Sequence, residues 1–225
     1  MKAERPIQQK VSRRMAFGAA AFLLGAVIYV CTEAISAHAW HEPTYRYAYN
    51  YISDLGVAGP LTIDGREVFS PLAAVMNFGF MAHGLLFALG YALVFPMLEG
   101  RTKFLALSAA VIHGIGNAMI GYFPGVSYDG ASPHLIGAGL AIVGGNLAVI
   151  WGGVSVRRAY PGSGRGGIVL GICGMAALAI MVSGVLGHPA VFERLSVYAM
   201  TAWDLTFGFT LLLASGAVSR RTRIG

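Results

Sequence analysis

Six apolar stretches, at about 15–37, 72–98, 104–123, 134–156, 167–187 and 195–218, constrain this chain more than any other feature it has. At 1.5 Å of rise per residue, each is long enough for one helical crossing of a ~30 Å hydrocarbon core. None alternates strictly between apolar and polar residues, so a barrel strand is not indicated. In lipid every backbone N–H and C=O must then be satisfied inside its own segment, which leaves helices. Composition agrees: 56% of residues are hydrophobic and only 12% charged, about half the charged share of an ordinary soluble domain. The 31 glycines suit close helix packing, with Gly137–Ala141–Gly145 and Gly167–Gly171 as small-residue faces. The expected fold class is all-α: a polytopic bundle of six transmembrane helices with a longer first extracytoplasmic loop. Residues 15–218 form that domain, between basic tails at 1–14 and 219–225.

The cationic residues orient it. Lys2, Arg5, Lys10, Arg13, Arg14, Arg101, Lys103, Arg157, Arg158, Arg165, Arg220, Arg221 and Arg223 fall on one side of the six spans, and Arg46, Arg66 and Arg194 on the other. This excess places both termini in the cytoplasm of a multi-pass plasma-membrane protein. Short cationic clusters flanking spans meet anionic lipid, so the net charge of +6 is not the footprint of a nucleic-acid binder. The first span, followed by AHAW, superficially resembles a secretion signal. It is too long for a signal core and contains Glu33, so it is expected to stay as a helix. Cys31 and Cys173 lie in apolar runs without a CxxC or a histidine cluster, and read as buried, inert thiols.

The polar residues are distributed in the opposite sense. Most acids and all six histidines lie at mid-membrane or on the outer side. There, YNYISDLGVAGP (49–60) places Asn50, Ser53 and Asp54 among tyrosines that suit the aromatic belt. The strip reads as an outer-face segment folding back toward the bilayer, with a turn ending at Gly56 and further turns at Gly59-Pro60 and Asp64-Gly65. Ionisable groups inside spans are expensive and therefore informative. His113 and Asn117 share a helix face, Asp204 sits deep in the last span, and Glu193-Arg194 precede it. Pro133-His134 reads as a helix start. Candidates for an outward polar pocket are Ser53, Asp54, His113, Asn117, His134, Glu193, Arg194 and Asp204, with Arg194 expected to pair with Asp54 or an anionic ligand. Asn77, Asn117 and Asn146 also suit interhelical hydrogen bonding.

Three segments, YNYISDLGVAGP, FPGVSYDGASPHLIGAGLAIVGGNLAVI and ERLSVYAMTAWDLTFG, resemble the uncharacterised multi-pass membrane proteins grouped as domain of unknown function 998. The resemblance covers roughly 15–217, with family-like positions at Ser53, Asp54, Gly56, Pro124, His134, Asn146, Glu193 and Arg194. It implies a six-helix integral membrane protein and carries no established reaction. A more distant likeness is to intramembrane zinc hydrolases such as the alkaline ceramidases. A zinc site would draw on His113, His134 and His188, with Asp54 or Asp129, although no HxxxH pair lies on one helix. The functional readings are thus a pocket for a lipid headgroup or small polar ligand, or a metal-dependent lipid hydrolase. A haem held by His83 and His113, or a transporter, ranks behind them. The expected partners are the bilayer and a lipid or small polar ligand, with no nucleic acid.

Overall fold

The computed structural model describes residues 4–63, 65–125 and 131–224, with side chains described from residue 13 to residue 216. Six helices run in chain order: α1 Glu4–Ala39, α2 Ala73–Val94, α3 Thr102–Tyr122, α4 Pro133–Val156, α5 Pro161–Ser183 and α6 Pro189–Ile224. All six contain a segment long and apolar enough to cross a membrane. Each packs on its chain neighbours, α6 closes back onto α1, and α4 also touches α6 across the middle. This is the expected six-helix bundle. Asp64 and Asp129, named above as a turn residue and a ligand alternative, lie outside the described residues.

Helix starts follow local chemistry. The Ser132 side chain accepts a hydrogen bond from the Leu135 N–H, and Pro133 occupies the first position of α4, where its missing N–H costs nothing. Pro161 and Pro189 begin α5 and α6 in the same way. These two helices therefore start about six residues before the apolar runs read from sequence. Arg165 lies within α5, and Glu193-Arg194 lie in the second turn of α6 rather than before it. Both positions correct the sequence reading.

The helices meet along small residues. An added Cβ at Gly116 would come within 2.6 Å of the Gly137 carbonyl oxygen, so the α3 and α4 backbones are in direct contact there. The α5 helix is the most peripheral, with 22% of its apolar window inside the bundle against 50% for α4. Cys31 and Cys173 are free and exposed on the bundle surface. This corrects their reading as buried thiols: an apolar run in such a protein faces lipid as readily as protein.

The α1–α2 connection forms a cap. A 3-10 turn at Ser53–Gly56 is followed by an antiparallel hairpin of β1 Leu61–Ile63 and β2 Arg66–Val68, turning at Gly65 with φ +74°. Trp40, Tyr45, Ile52, Asp54, Leu55 and Val57 are all buried, so the strip plugs the mouth of the bundle. Gly56 sits hard against Asn77 of α2, whose side-chain amide donates to the Gly56 carbonyl at 3.0 Å.

Candidate functional site

Arg194 is the bolt that holds the cap. Its Nη1 donates to the carbonyls of Tyr47 (2.7 Å) and Asn50 (2.8 Å) in the strip and of Ala190 (3.2 Å) in its own helix. Its Nη2 donates to the Tyr45 hydroxyl, and Nε lies 3.3 Å from Glu33 Oε1 of α1. Tyr198 donates to the other Glu33 oxygen at 2.9 Å. Burial holds the Tyr45 phenol above its ordinary pKa, against the lowering pull of Arg194. Tyr45 therefore keeps its proton and donates it to the Tyr51 carbonyl at 3.0 Å. Arg194 pairs with Glu33, not with Asp54 as expected. Asp54 instead accepts from the Tyr51 N–H at 2.9 Å and lies 3.5 Å from Arg66, joining strip to hairpin.

Glu33 is the residue that sequence reasoning missed. A lone carboxylate inside the first apolar run was the available signal, because such a group needs a partner in the bundle.

Beneath the cap, a pocket of about 190 Å³ is lined by Tyr51 and Ser53 of the strip, His134, Leu135, Ala138 and Ile142 of α4, Met181 of α5 and Glu193 of α6. Glu193 Oε2 accepts from the Ile52 N–H at 2.6 Å. His134 Nδ1 donates to the Phe123 carbonyl at 2.9 Å, which sets Nε2 as the acceptor nitrogen of the neutral ring. Asp54 lies within electrostatic reach of both His134 and Glu193.

A second cavity, of about 30 Å³, lies deeper among Tyr29, His83, His113, Asn117 and Met200, and shares Ser53, Ala138, Ile142 and Glu193 with the first. His113 Nδ1 donates to the Ala141 carbonyl at 2.7 Å, leaving Nε2 to accept from Asn117 at 3.1 Å. His83 Nε2 lies 3.0 Å from Asp204 Oδ2, and both side chains are buried. The sequence marks Asp204 as a costly ionisable group deep in the last span without naming His83 as its partner.

The candidates therefore divide into three tiers: Arg194 and Asp54 in the cap, Ser53, His134 and Glu193 at the pocket, and His113, Asn117 and Asp204 in or below the inner cavity. Two alternatives draw no support from the described residues. His188 is exposed and packs edge to face on Tyr49, and no group of three or more His, Cys, Asp or Glu able to hold a metal occurs among the described residues. His83 and His113 meet edge to face with ring centroids 5.2 Å apart, both nitrogens of His113 engaged by Ala141 and Asn117 and Nε2 of His83 by Asp204. They do not present two nitrogens to one haem iron.

These features define a polytopic membrane protein with a capped pocket, mainly apolar and edged by a few polar side chains, at one end of a six-helix bundle. The chain matches the family described as a protein of unknown function (DUF998) over residues 23–210 and belongs to that family. No curated protein and no solved structure matches it.

Proposed function

We propose that this is a plasma-membrane protein with both ends cytoplasmic, whose outer pocket binds the polar end of a lipid or a small polar ligand. The observation that carries the reading is the shared lining. Ser53 and Glu193, with Ala138 and Ile142, border both the pocket and the inner cavity, and Leu135 and Met181 add to a mainly apolar lining. A few polar groups within a mainly apolar lining suit an amphiphile. At about 190 Å³ the pocket is below the roughly 300–1,000 Å³ typical of drug-sized sites, so it suits a headgroup rather than a whole lipid.

The electrostatics favour a ligand that donates hydrogen bonds. The Glu193 carboxylate and His134 border the space, while Arg194 is committed to Glu33, Tyr45 and three carbonyls and Arg66 lies over the Tyr51 ring beside Asp54. A headgroup bearing an ammonium or hydroxyl fits this lining better than a bare phosphate does.

Native mass spectrometry of the protein offered phosphatidylethanolamine and phosphatidic acid tests this. Phosphatidylethanolamine is expected to be retained over phosphatidic acid. A hydrogen bond to a charged group contributes ~1.5–3 kcal/mol, so Glu193→Gln is expected to weaken retention roughly 10- to 150-fold. Preference for phosphatidic acid, or equal retention by wild type and Glu193→Gln, would sink the reading.

Orientation has its own test. In a background lacking Cys31 and Cys173, an impermeant maleimide is expected to label Thr62→Cys in the hairpin on intact cells. Ser219→Cys should react only after permeabilisation. The reverse pattern would invert the topology.

A further inference from the structure

We infer that His83 relays protons from the inner cavity to Asp204, making Asp204 a proton-binding site reached from the capped end of the bundle. The ring is placed for it. Nε2 faces Asp204 Oδ2 at 3.0 Å, while His83 lines the cavity and its Nδ1 has no hydrogen-bond partner. Asp204 Oδ1 is likewise unpartnered and its side chain is buried. A water needs roughly 10–15 Å³ of such space, so a cavity of about 30 Å³ lined by His83 has room for about two.

The route has one open end. Its upper part is bordered by Ser53 and Glu193, which also border the larger pocket. Glu193 and Asp204 lie on the same helix, about 16 Å apart at 1.5 Å per residue. On the far side Phe22 packs against Phe87, Tyr91 and Phe207, and Trp203 stacks on Phe207, all buried. The titratable groups around the pair are Tyr29 from α1, 5.0 Å from the His83 ring, Tyr91 from α2 near Asp204, His113 from α3, and Glu193 from α6 at the upper end. The α4 helix lines the cavity with Ala138, Ala141 and Ile142, and α5 does not line it.

The step is a balanced exchange. A cavity water carrying an excess proton delivers it to Nδ1 of neutral His83. The Nε2–H proton passes to Asp204 Oδ2. The imidazole ends neutral in its other tautomer, the carboxylate becomes a carboxylic acid, and the water is released neutral. Release runs the same path backwards. No oxidant or second substrate takes part.

The experiment is infrared difference spectroscopy of the full-length protein in nanodiscs after a pH jump, in H₂O and in D₂O. A protonated-carboxyl stretch that shifts in D₂O is expected in wild type and should be absent in Asp204→Asn. In His83→Gln the amide can still donate to Asp204 but cannot pass a proton through, so the band is expected to appear ~10²-fold more slowly. If Asp204→Asn does not fold, the rate in His83→Gln decides alone. A wild type with no pH-dependent carboxyl band, or an equal rate in His83→Gln, overturns the proposal. The measurement needs no bound lipid, so failure of the headgroup reading leaves its outcome intact.

Discussion

Replacing Arg194 by Ala is expected to lower the melting temperature by roughly 6–20 °C and to release the strip that caps the bundle. The substitution strands Glu33, whose side chain is 3% exposed beside an Arg194 side chain that is 8% exposed. Removing one partner of a buried ion pair costs about 3–5 kcal/mol, because the survivor stays desolvated without its counter-charge. At about 2–4 °C per kcal/mol for a chain of this size, that gives the stated drop. The donors into Tyr47 and Asn50 go as well, so protease cleavage within the strip should rise along with the loss of stability. Arg194→Lys keeps the charge but lacks the planar fork that reaches a carboxylate, a phenol and two strip carbonyls together, so it should recover only part of the loss. Because the cost lies mainly in the stranded carboxylate, Glu33→Ala added to Arg194→Ala should destabilise less than the sum of the two single changes. Melting within about 1 °C of wild type for Arg194→Ala, with an uncut strip, would refute the bolt.

That the bolt had to be found in the structure has a physical cause. Spanning length is a one-dimensional property, so the six helices could be read directly from the apolar runs. Which residues face each other is set by the rotation of each helix. Helices that are apolar on every side, such as α2 and α4, carry little phase information to set that rotation. Hence Asp204 could be identified as a costly group inside a span, whereas His83 on α2 could not be named as its partner. The same ambiguity misplaced Cys31 and Cys173. The early starts of α5 and α6 were legible in Pro161 and Pro189. They were passed over because the glycine-rich segment at 162–167 and the polar pair Glu193-Arg194 dilute the apolar signal that set the boundaries. The strip was half legible: Ser53-Asp54 and Gly56 marked a turn, and tyrosine spacing marked an interface. Its descent into the bundle mouth depends on Glu193, 141 residues away in sequence from Ile52. No local pattern encodes such a contact.

Gly116→Leu is expected to abolish the folded bundle, and Gly116→Ala to destabilise it, whereas Gly139→Ala on the same α3–α4 hairpin should not. An added Cβ at Gly116 meets only backbone, 2.6 Å from the Gly137 carbonyl oxygen and 2.9 Å from the Ala141 Cα. Backbone in mid-helix cannot turn aside as a flexible side chain does, so the two helices must separate along their length. Overpacking of this kind costs about 1–3 kcal/mol for one methyl group, and more for a larger side chain. A Cβ at Gly139 meets nothing within 4 Å, and Ala is the better helix former by up to ~1 kcal/mol. Detergent-solubilised monodisperse yield and melting temperature report both changes. The effect should also reach the inner cavity, because His113 holds the Ala141 carbonyl at 2.7 Å across this same contact. Spreading α3 from α4 lengthens that bond, and the ring then loses the acceptor that fixes its tautomer. His113 should therefore change its imidazole NMR signature in any Gly116→Ala protein that survives purification, and keep it in Gly139→Ala. Equal melting of the two alanine variants, with the same His113 signature in both, would mean that α3 and α4 do not touch at Gly116, and the cavity walls drawn from that contact would go with it.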